Sequence, residues 1–206
     1  DQALERIQQQ YKLPEGLALV IIGDPPAVAI YEEAVKAARN VLEDSEASVD
    51  KAVANWLCND LFSLVKEHSE DEETATSSQS TVSGEQLGKL VAMVVEGSIS
   101  TPMGKRILNL MYTKNVGWSP RDVAKEQGLQ LITDLNELIE LCRKVVMAQE
   151  HQKQLEQLKK GGEHVRKIHK FFVGKAMAAS KGNAQPEMLQ DALKVVLDEV
   201  EGDVKG

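Results

Sequence analysis

Aromatic residues and cysteines are scarce in this 206-residue sequence, which has two Trp, three Tyr, three Phe and two Cys. Strands favour aromatic and β-branched residues, whereas Ala, Leu, Glu and Lys favour helices. The composition therefore predicts an all-α fold. Cys58 and Cys142 both fall within helical patterns, where a free thiol is usually a small buried hydrophobe. They indicate neither a disulfide framework nor a metal site.

Long hydrophobic runs are also absent. No continuous apolar stretch is longer than that of residues 17–22, which is far shorter than the roughly 20 residues that a membrane-spanning helix requires. The sequence begins at Asp1 and lacks the charged-then-apolar opening of a secretory signal. We therefore predict no membrane association and expect the chain to be a processed or truncated product.

The charge distribution is uneven. The formal net charge is −8, and residues 1–82 hold 16 acidic and 6 basic residues. Residues 151–181, in contrast, hold eight basic and two acidic residues. Because phosphate binding requires Lys and Arg, the overall charge argues against nucleic acid, but the stretch 151–181 does not.

Capping and helix-breaking residues predict a series of helices in two parts. Asp24-Pro25, Ser83 with Gln86, Ser119-Pro120 and Asp134 with Glu137 are typical helix starts. We expect a larger helical bundle over residues 1–130 and a smaller domain of about three helices over residues 131–206. Within the bundle, residues 69–82 are acidic and rich in Ser and Thr, which predicts a flexible insert, either a loop or a disordered segment.

No catalytic or metal-binding motif is evident. Residues 97–105 superficially resemble a phosphate-binding loop, but the glycine spacing is wrong and Arg106 occupies the position of the required Ser or Thr. His164 and His169 lie about 140° apart around a helix, so they cannot share a metal ion. We predict no catalytic residue, no metal ligand and no cofactor within this chain.

Two residues of the second predicted helix, over about residues 49–67, stand out as structural. Trp56 lies on its apolar side, and Asp60 lies among Val53, Leu57 and Leu64. A carboxylate in apolar surroundings needs donors. A structural role, paired with a helix end or a basic side chain, is favoured over catalysis because no second acid or base accompanies it.

The predicted helix over about 163–180 carries the main functional signal. Its apolar side comprises Val165, Ile168, Phe172, Ala176 and Ala179, and the opposite side carries lysines separated by small residues. Small residues between cations would let a phosphate backbone approach closely. The candidate nucleic-acid-binding residues are Lys167, Lys170, Gly174, Lys175 and Lys181. Phe171, at the edge of this face, could stack on a base or pack in the core.

Several short motifs then occur in the order of one known family. They are Val53-Ala54-Asn55-Trp56-Leu57 with Asp60-Leu61, Glu96-Gly97-Ser98-Ile99-Ser100, Gly128-Leu129-Gln130, and Phe172-Val173-Gly174 with Met177, Lys181-Gly182 and Pro186. From about residue 24 to residue 197, the chain resembles the C-terminal part of the B subunit of the aspartyl/glutamyl-tRNA amidotransferases. That part comprises a helical domain and a YqeY-like tail domain.

The resemblance implies a function that the residues alone do not demonstrate. Such enzymes amidate glutamate misattached to glutamine tRNA, using ATP and ammonia from an amidase subunit. ATP and Mg belong to an N-terminal cradle domain that these residues lack, so the resemblance implies a non-catalytic tRNA-binding portion whose partners are tRNA and the amidase subunit. The alternative is a protein-interaction module that docks to partner subunits without tRNA contact.

The sequence departs from the family pattern in places. Thr101-Pro102 and Asn183-Ala184-Gln185 each stand where the family commonly has a lysine. The insert at 69–82 and the connection at 115–118 resemble those of an organellar, rather than a bacterial, version of the B subunit. We therefore expect a mitochondrial matrix location, with the bacterial cytoplasm as the alternative.

Overall fold

The computed structural model describes residues 2–42 and 47–202, which form α-helices joined by turns and loops. Within these ranges the only extended pairing is an isolated parallel bridge between Ile132 and Ala184. The predicted all-α fold is confirmed. The chain divides into two compact units, Asp1–Leu129 and Gln130–Gly206.

The first unit contains eight α-helices within its described part. They are α1 (Gln2–Tyr11), α2 (Glu15–Gly23), α3 (Pro25–Leu42), α4 (Ala47–Asn55), α5 (Phe62–Glu67), α6 (Gly84–Val95), α7 (Thr101–Thr113) and α8 (Pro120–Glu126). α1 and α2 were not predicted from the sequence. A π-helical segment, Trp56–Leu61, joins α4 to α5, so the predicted second helix is continuous but contains one wider turn.

The predicted capping of α6 is confirmed. Asp24 was predicted to cap the start of α3, but its side chain has a different partner. The Ser83 hydroxyl accepts the Gln86 N–H, and the Gln86 side chain accepts the Ser83 N–H, which completes a capping box. The Asp24 carboxylate instead accepts the backbone N–H of Ser77, 2.7 Å away and 53 residues later. Asp24 therefore anchors the acidic insert. Of the two interpretations of that insert, the structure shows a loop, with a 3₁₀ turn at Ser77–Gln79.

An ion pair between the half-buried Arg39 and the buried Asp50 joins α3 to α4. The Arg39 guanidinium donates two hydrogen bonds to the Asp50 carboxylate, which is 2% exposed. The Tyr31 hydroxyl donates to the Asp50 carbonyl oxygen at 3.1 Å. Burial, followed by the nearby Asp50 carboxylate, raises the pKa of Tyr31 above its usual range, so the hydroxyl keeps its proton and remains a donor.

The closest helix contact of the first unit lies between α3 and α6, where two glycines meet the backbone of α3. A Cβ at Gly84 would lie 2.5 Å from the Ile30 carbonyl oxygen, and one at Gly88 would lie 2.1 Å from that of Ala34. No side chain fits at these distances. Glycines four residues apart lie on one helix face, so the two together set the spacing of α3 and α6.

The second unit contains four α-helices within its described part, where the sequence predicted about three. They are α9 (Leu135–Val146), α10 (Gln152–Lys160), α11 (Val165–Ala179) and α12 (Pro186–Gly202). The additional helix is α10, which was not predicted as a separate element: the chain leaves α9 at Met147 and makes a 3₁₀ turn at Gln149–His151 before α10 begins.

We predict that Gly88→Ala destabilises the protein by about 1–3 kcal/mol or more, because a methyl group at this position forces α3 and α6 apart. The measurement is urea unfolding of both proteins, followed by circular dichroism. Gly16→Ala is the matched control, since a Cβ at Gly16 meets nothing within 4 Å. Equal stability of the two variants would contradict this account.

Candidate nucleic-acid interface

One side of α11 is anchored in the core of the second unit. Ile168, Phe172 and Ala176 are all buried, at one-turn spacing, in a cluster that includes Leu138 and Leu189 of the neighbouring helices. Ala179, predicted to belong to this apolar side, is exposed. The reason is that α11 ends there, and the buried Ser180 and Ala184 fill the core beyond it.

The opposite side of α11 and the turn that follows it form an exposed basic face, defined as Lys167, Lys170, Gly174, Lys175 and Lys181. All five residues are exposed. Among residues 2–42 and 47–202, no carboxylate makes an ion pair with any of these four lysines. Their ammonium groups are therefore available to an external anion.

Gly174 leaves open space in the middle of the basic face. A Cβ built at Gly174 meets nothing within 4 Å, although the residue lies inside a helix. Glycine in a helix interior costs about 0.5–1 kcal/mol relative to alanine. Because no neighbouring atom requires this glycine, internal packing does not explain it.

The basic face continues past the end of α11 into a turn that is held by hydrogen bonds to α11 and to the segment before α9. Lys181 adopts a positive φ of 55°, a conformation that favours glycine or asparagine. The Gly182 N–H donates back to the Met177 carbonyl oxygen at 3.1 Å, and the Ile132 N–H donates to the Asn183 carbonyl oxygen at 2.9 Å. Lys181 is thus held at a defined position beside α11.

An aromatic cluster borders the basic face. The ring centroid of Phe171 lies 5.3 Å from that of His151 and 5.4 Å from that of Phe172, both in edge-to-face arrangements. The Lys175 Nζ lies 5.6 Å from the Phe171 centroid, within cation–π range. Phe171 is only partly buried, so it lies between the core and the basic face.

His151 is the residue that sequence reasoning missed. It is 6% exposed, and its Nδ1 lies 2.7 Å from the Val145 carbonyl oxygen across the turn between α9 and α10. This contact closes the turn and places the imidazole against Phe171. No local pattern indicated it, because the contact depends on where α11 packs.

Additional cations lie near the basic face in sequence. Lys159 and Lys160 end α10, and Arg166 lies in the first turn of α11. All three are exposed, and none makes an ion pair within the described part of the second unit. The excess of basic residues over 151–181 was the signal that pointed to them.

The two residues predicted to be structural lie in the first unit, in the π-helical segment. Trp56 is buried against Gly104, where an added Cβ would lie 2.9 Å from the indole Cη2. Asp60 is 21% exposed, and its Oδ1 lies 3.3 Å from the Lys105 Nζ. A basic side chain is thus the partner of Asp60, and the wider π turn brings the carboxylate to the edge of the core.

The cysteines show no sign of nucleophilic activation. Burial raises the pKa of Cys58 and of Cys142 to about 11 each. Both remain neutral thiols near pH 7, whereas a nucleophilic cysteine needs a stabilised thiolate.

Fold and surface together define an all-α protein of two units with a cationic helix face. Among the residues placed by the structure, no group of three or more His, Cys, Asp or Glu could hold a metal ion. Nor is any helix in that part of the chain long and apolar enough to cross a lipid bilayer.

Comparison with known proteins identifies the family. A family model described as the GatB domain, with the label GatB_Yqey, matches residues 18–197. The chain belongs to this family, which confirms the resemblance found in the sequence.

The curated relatives are the B subunits of tRNA amidotransferases. The chain is 29% identical over 197 residues to the B subunit of the aspartyl/glutamyl-tRNA(Asn/Gln) amidotransferase of Persephonella marina, covering 96% of this chain and 37% of that protein. It is 30% identical to the B subunit of the mitochondrial glutamyl-tRNA(Gln) amidotransferase of Phytophthora infestans, covering 95% of this chain and 31% of that protein. It is also 30% identical to the corresponding subunit of Naegleria gruberi, covering 88% of this chain and 36% of that protein. The chain thus spans about a third of the length of these relatives.

We predict that Gly174→Ala stabilises the protein by about 0.5–1 kcal/mol, because it removes the conformational cost of a helical glycine without meeting a neighbouring atom. Thermal unfolding followed by circular dichroism measures the change. A lower melting temperature than that of the unmodified chain would reveal a packing role and contradict the analysis of this position.

Proposed function

We propose that this chain is the tRNA-binding, non-catalytic portion of the B subunit of a glutamyl-tRNA(Gln) amidotransferase. The observation that carries the proposal is the basic face of α11, whose lysines are exposed and unpaired within the described residues while the opposite side is anchored in the core. The family supports it, since the relatives are named as subunits of enzymes acting on tRNA-linked amino acids.

Binding would rest on phosphate neutralisation. Lys167 and Lys170 lie within about 60° of one line along α11, and Lys181 lies in the turn that follows the helix. Each lysine that contacts a phosphate releases condensed counterions, and this release supplies much of the affinity of proteins for nucleic acids. The open space at Gly174 allows the phosphate backbone to come close to the helix between the cations.

The parent subunit would carry out ATP-dependent transamidation, and this portion would hold the tRNA. The family resemblance assigns ATP and Mg to a cradle domain that lies outside the third of the relatives that this chain spans. In this proposal the 206 residues by themselves show no amidotransferase activity, and the amidase subunit supplies ammonia to the assembled enzyme.

We further propose the mitochondrial matrix as the location. Two of the similar proteins are named as mitochondrial, and the acidic insert at 69–82 supports an organellar version. A bacterial relative is nearly as similar, so the bacterial cytoplasm is the alternative that imaging of a tagged protein would test.

The double variant K167E/K170E should bind tRNA at least about tenfold more weakly than the unmodified chain, because both lysines lie off the apolar side of α11 and contact phosphate directly. Gel-shift titration across a salt series measures it. If about four to six phosphates are neutralised, the unmodified chain gives a slope of log affinity against log salt of roughly −3 to −5, and the variant a shallower one.

K144E/K194E is the matched control for this experiment. Lys144 on α9 and Lys194 on α12 are exposed lysines of the same unit, so the change in net charge is identical. Its tRNA affinity should stay much closer to that of the unmodified chain. Equal losses in both double variants would mean that net charge, rather than the basic face, governs binding.

A second candidate function is docking to partner subunits. The first unit contains the acidic stretch 1–82, which repels tRNA, and α2 exposes two adjacent apolar side chains, Leu19 and Val20. Exposed apolar residues of this kind are typical of protein–protein contacts. The two functions are compatible, since they use different units.

Size-exclusion chromatography of the chain mixed with tRNA, and separately with the amidase subunit, distinguishes the two functions. The tRNA-binding proposal predicts co-elution with tRNA that K167E/K170E abolishes. The docking alternative predicts co-elution with the amidase subunit that Leu19→Asp weakens. Co-elution with the amidase subunit and none with tRNA would overturn the tRNA-binding proposal.

A further inference from the structure

Phe171 is flanked by cations along its own helix. Lys167 precedes it by four residues and Lys175 follows it by four, so the three side chains form one ridge of α11. Lys175 already lies over the ring, with its Nζ 5.6 Å from the centroid. An aromatic ring between two phosphate-binding cations is the arrangement that single-stranded nucleic-acid sites use.

The ring is held firmly on its inner side. His151 and Phe172 contact it edge to face, at centroid distances of 5.3 and 5.4 Å. Phe172 is fully buried, and His151 is fixed by its contact with the Val145 carbonyl oxygen. Phe171 is thus positioned by the core but only partly covered by it, so binding a partner costs little side-chain entropy.

Part of the Phe171 side chain is exposed, and the Lys175 ammonium lies over the ring. The helical neighbour three residues after Phe171 is Gly174, which has no side chain, and a methyl group placed there would have nothing within 4 Å. A flat group can approach beside Gly174 and take the place of the lysine over the ring.

From this arrangement we infer that Phe171 stacks on an unpaired nucleobase, so that the basic face recognises a loop or single-stranded segment of RNA rather than a duplex. This inference rests on the proposed tRNA binding and adds the class of RNA element. A base inside a duplex is stacked on both sides and offers no free face, whereas an unpaired base does. The displaced Lys175 ammonium then meets the adjoining phosphate.

The test uses Phe171→Leu in the 206-residue chain with two RNA probes. One is a hairpin with an unpaired seven-nucleotide loop, and the other is the same stem as a blunt duplex. Leucine keeps the apolar contact with His151 and Phe172 but removes the aromatic face. We expect the hairpin affinity to fall roughly 5- to 100-fold, the range for loss of one stacked base, and the duplex affinity to stay constant. Equal loss on both probes, or no loss on either, would overturn the inference.

Phe171→Trp gives a second readout that does not require a loss of binding. The introduced indole should be quenched when the hairpin is added and should be unaffected by the duplex. The emission of Trp56 and Trp118, both in the first unit, is subtracted with a parallel titration of the unmodified chain. Absence of hairpin-specific quenching counts against stacking even where Phe171→Leu folds poorly.

The failure of this inference can be told apart from failure of the proposed function. K167E/K170E should weaken binding of both probes, because phosphates are present in each. If that double variant changes neither affinity, tRNA binding through the basic face is wrong. If it weakens both while Phe171→Leu weakens neither, the basic face binds RNA and only the stacking role fails.

Discussion

The burial of one side of α11 is the constraint on which the basic face depends. Ile168, Phe172 and Ala176 lie in the core that α9 and α12 also form, and this fixes both the rotation and the depth of the helix. Once the rotation is fixed, the lysines on the opposite side must point outward. The same three residues therefore stabilise the second unit and orient its lysines. Phe171, next to Phe172, lies between the core and the basic face.

The two units achieve tight packing by different means. In the first, Gly84 and Gly88 bring the backbone of α6 against that of α3, which has buried alanines at Ala34 and Ala38. In the second, larger side chains fill the core, and no glycine within its described residues has a close neighbour at the Cβ position. Gly174 thus differs from Gly84 and Gly88, because it serves no contact although it, too, lies in a helix. Its open surroundings suit an external ligand better than internal packing.

Local patterns in the sequence predicted much of the fold, because capping is local chemistry. The Ser83–Gln86 box and the Asp134 cap both form as expected, since each joins residues at most three positions apart. The π turn at Trp56–Leu61 and the break after α9 were missed. The break depends on His151 reaching back to the Val145 carbonyl, and the role of Asp24 depends on Ser77, 53 residues away. Such contacts are decided by tertiary packing, which a helical wheel does not contain.

The exposure of the lysines could be predicted from helical periodicity, whereas the environment of Phe171 could not. A wheel places Phe171 at the edge of the basic face but gives no information about His151, which follows a different helix in the chain. In the structure Phe171 packs against His151 and Phe172, remains partly exposed, and has the Lys175 ammonium over its ring.

The acidic character of the whole chain does not oppose a local phosphate site. Residues 130–206 carry 12 acidic and 12 basic residues, and the signs are separated between helices. α10 and α11 hold seven basic residues and one acidic residue, whereas α9 and α12 hold three basic and seven acidic residues. At physiological salt, exposed charges more than about 8 Å apart are largely screened from one another. A phosphate at the basic face would therefore respond mainly to the nearest ammonium groups, and the net charge of −8 would affect long-range approach more than contact.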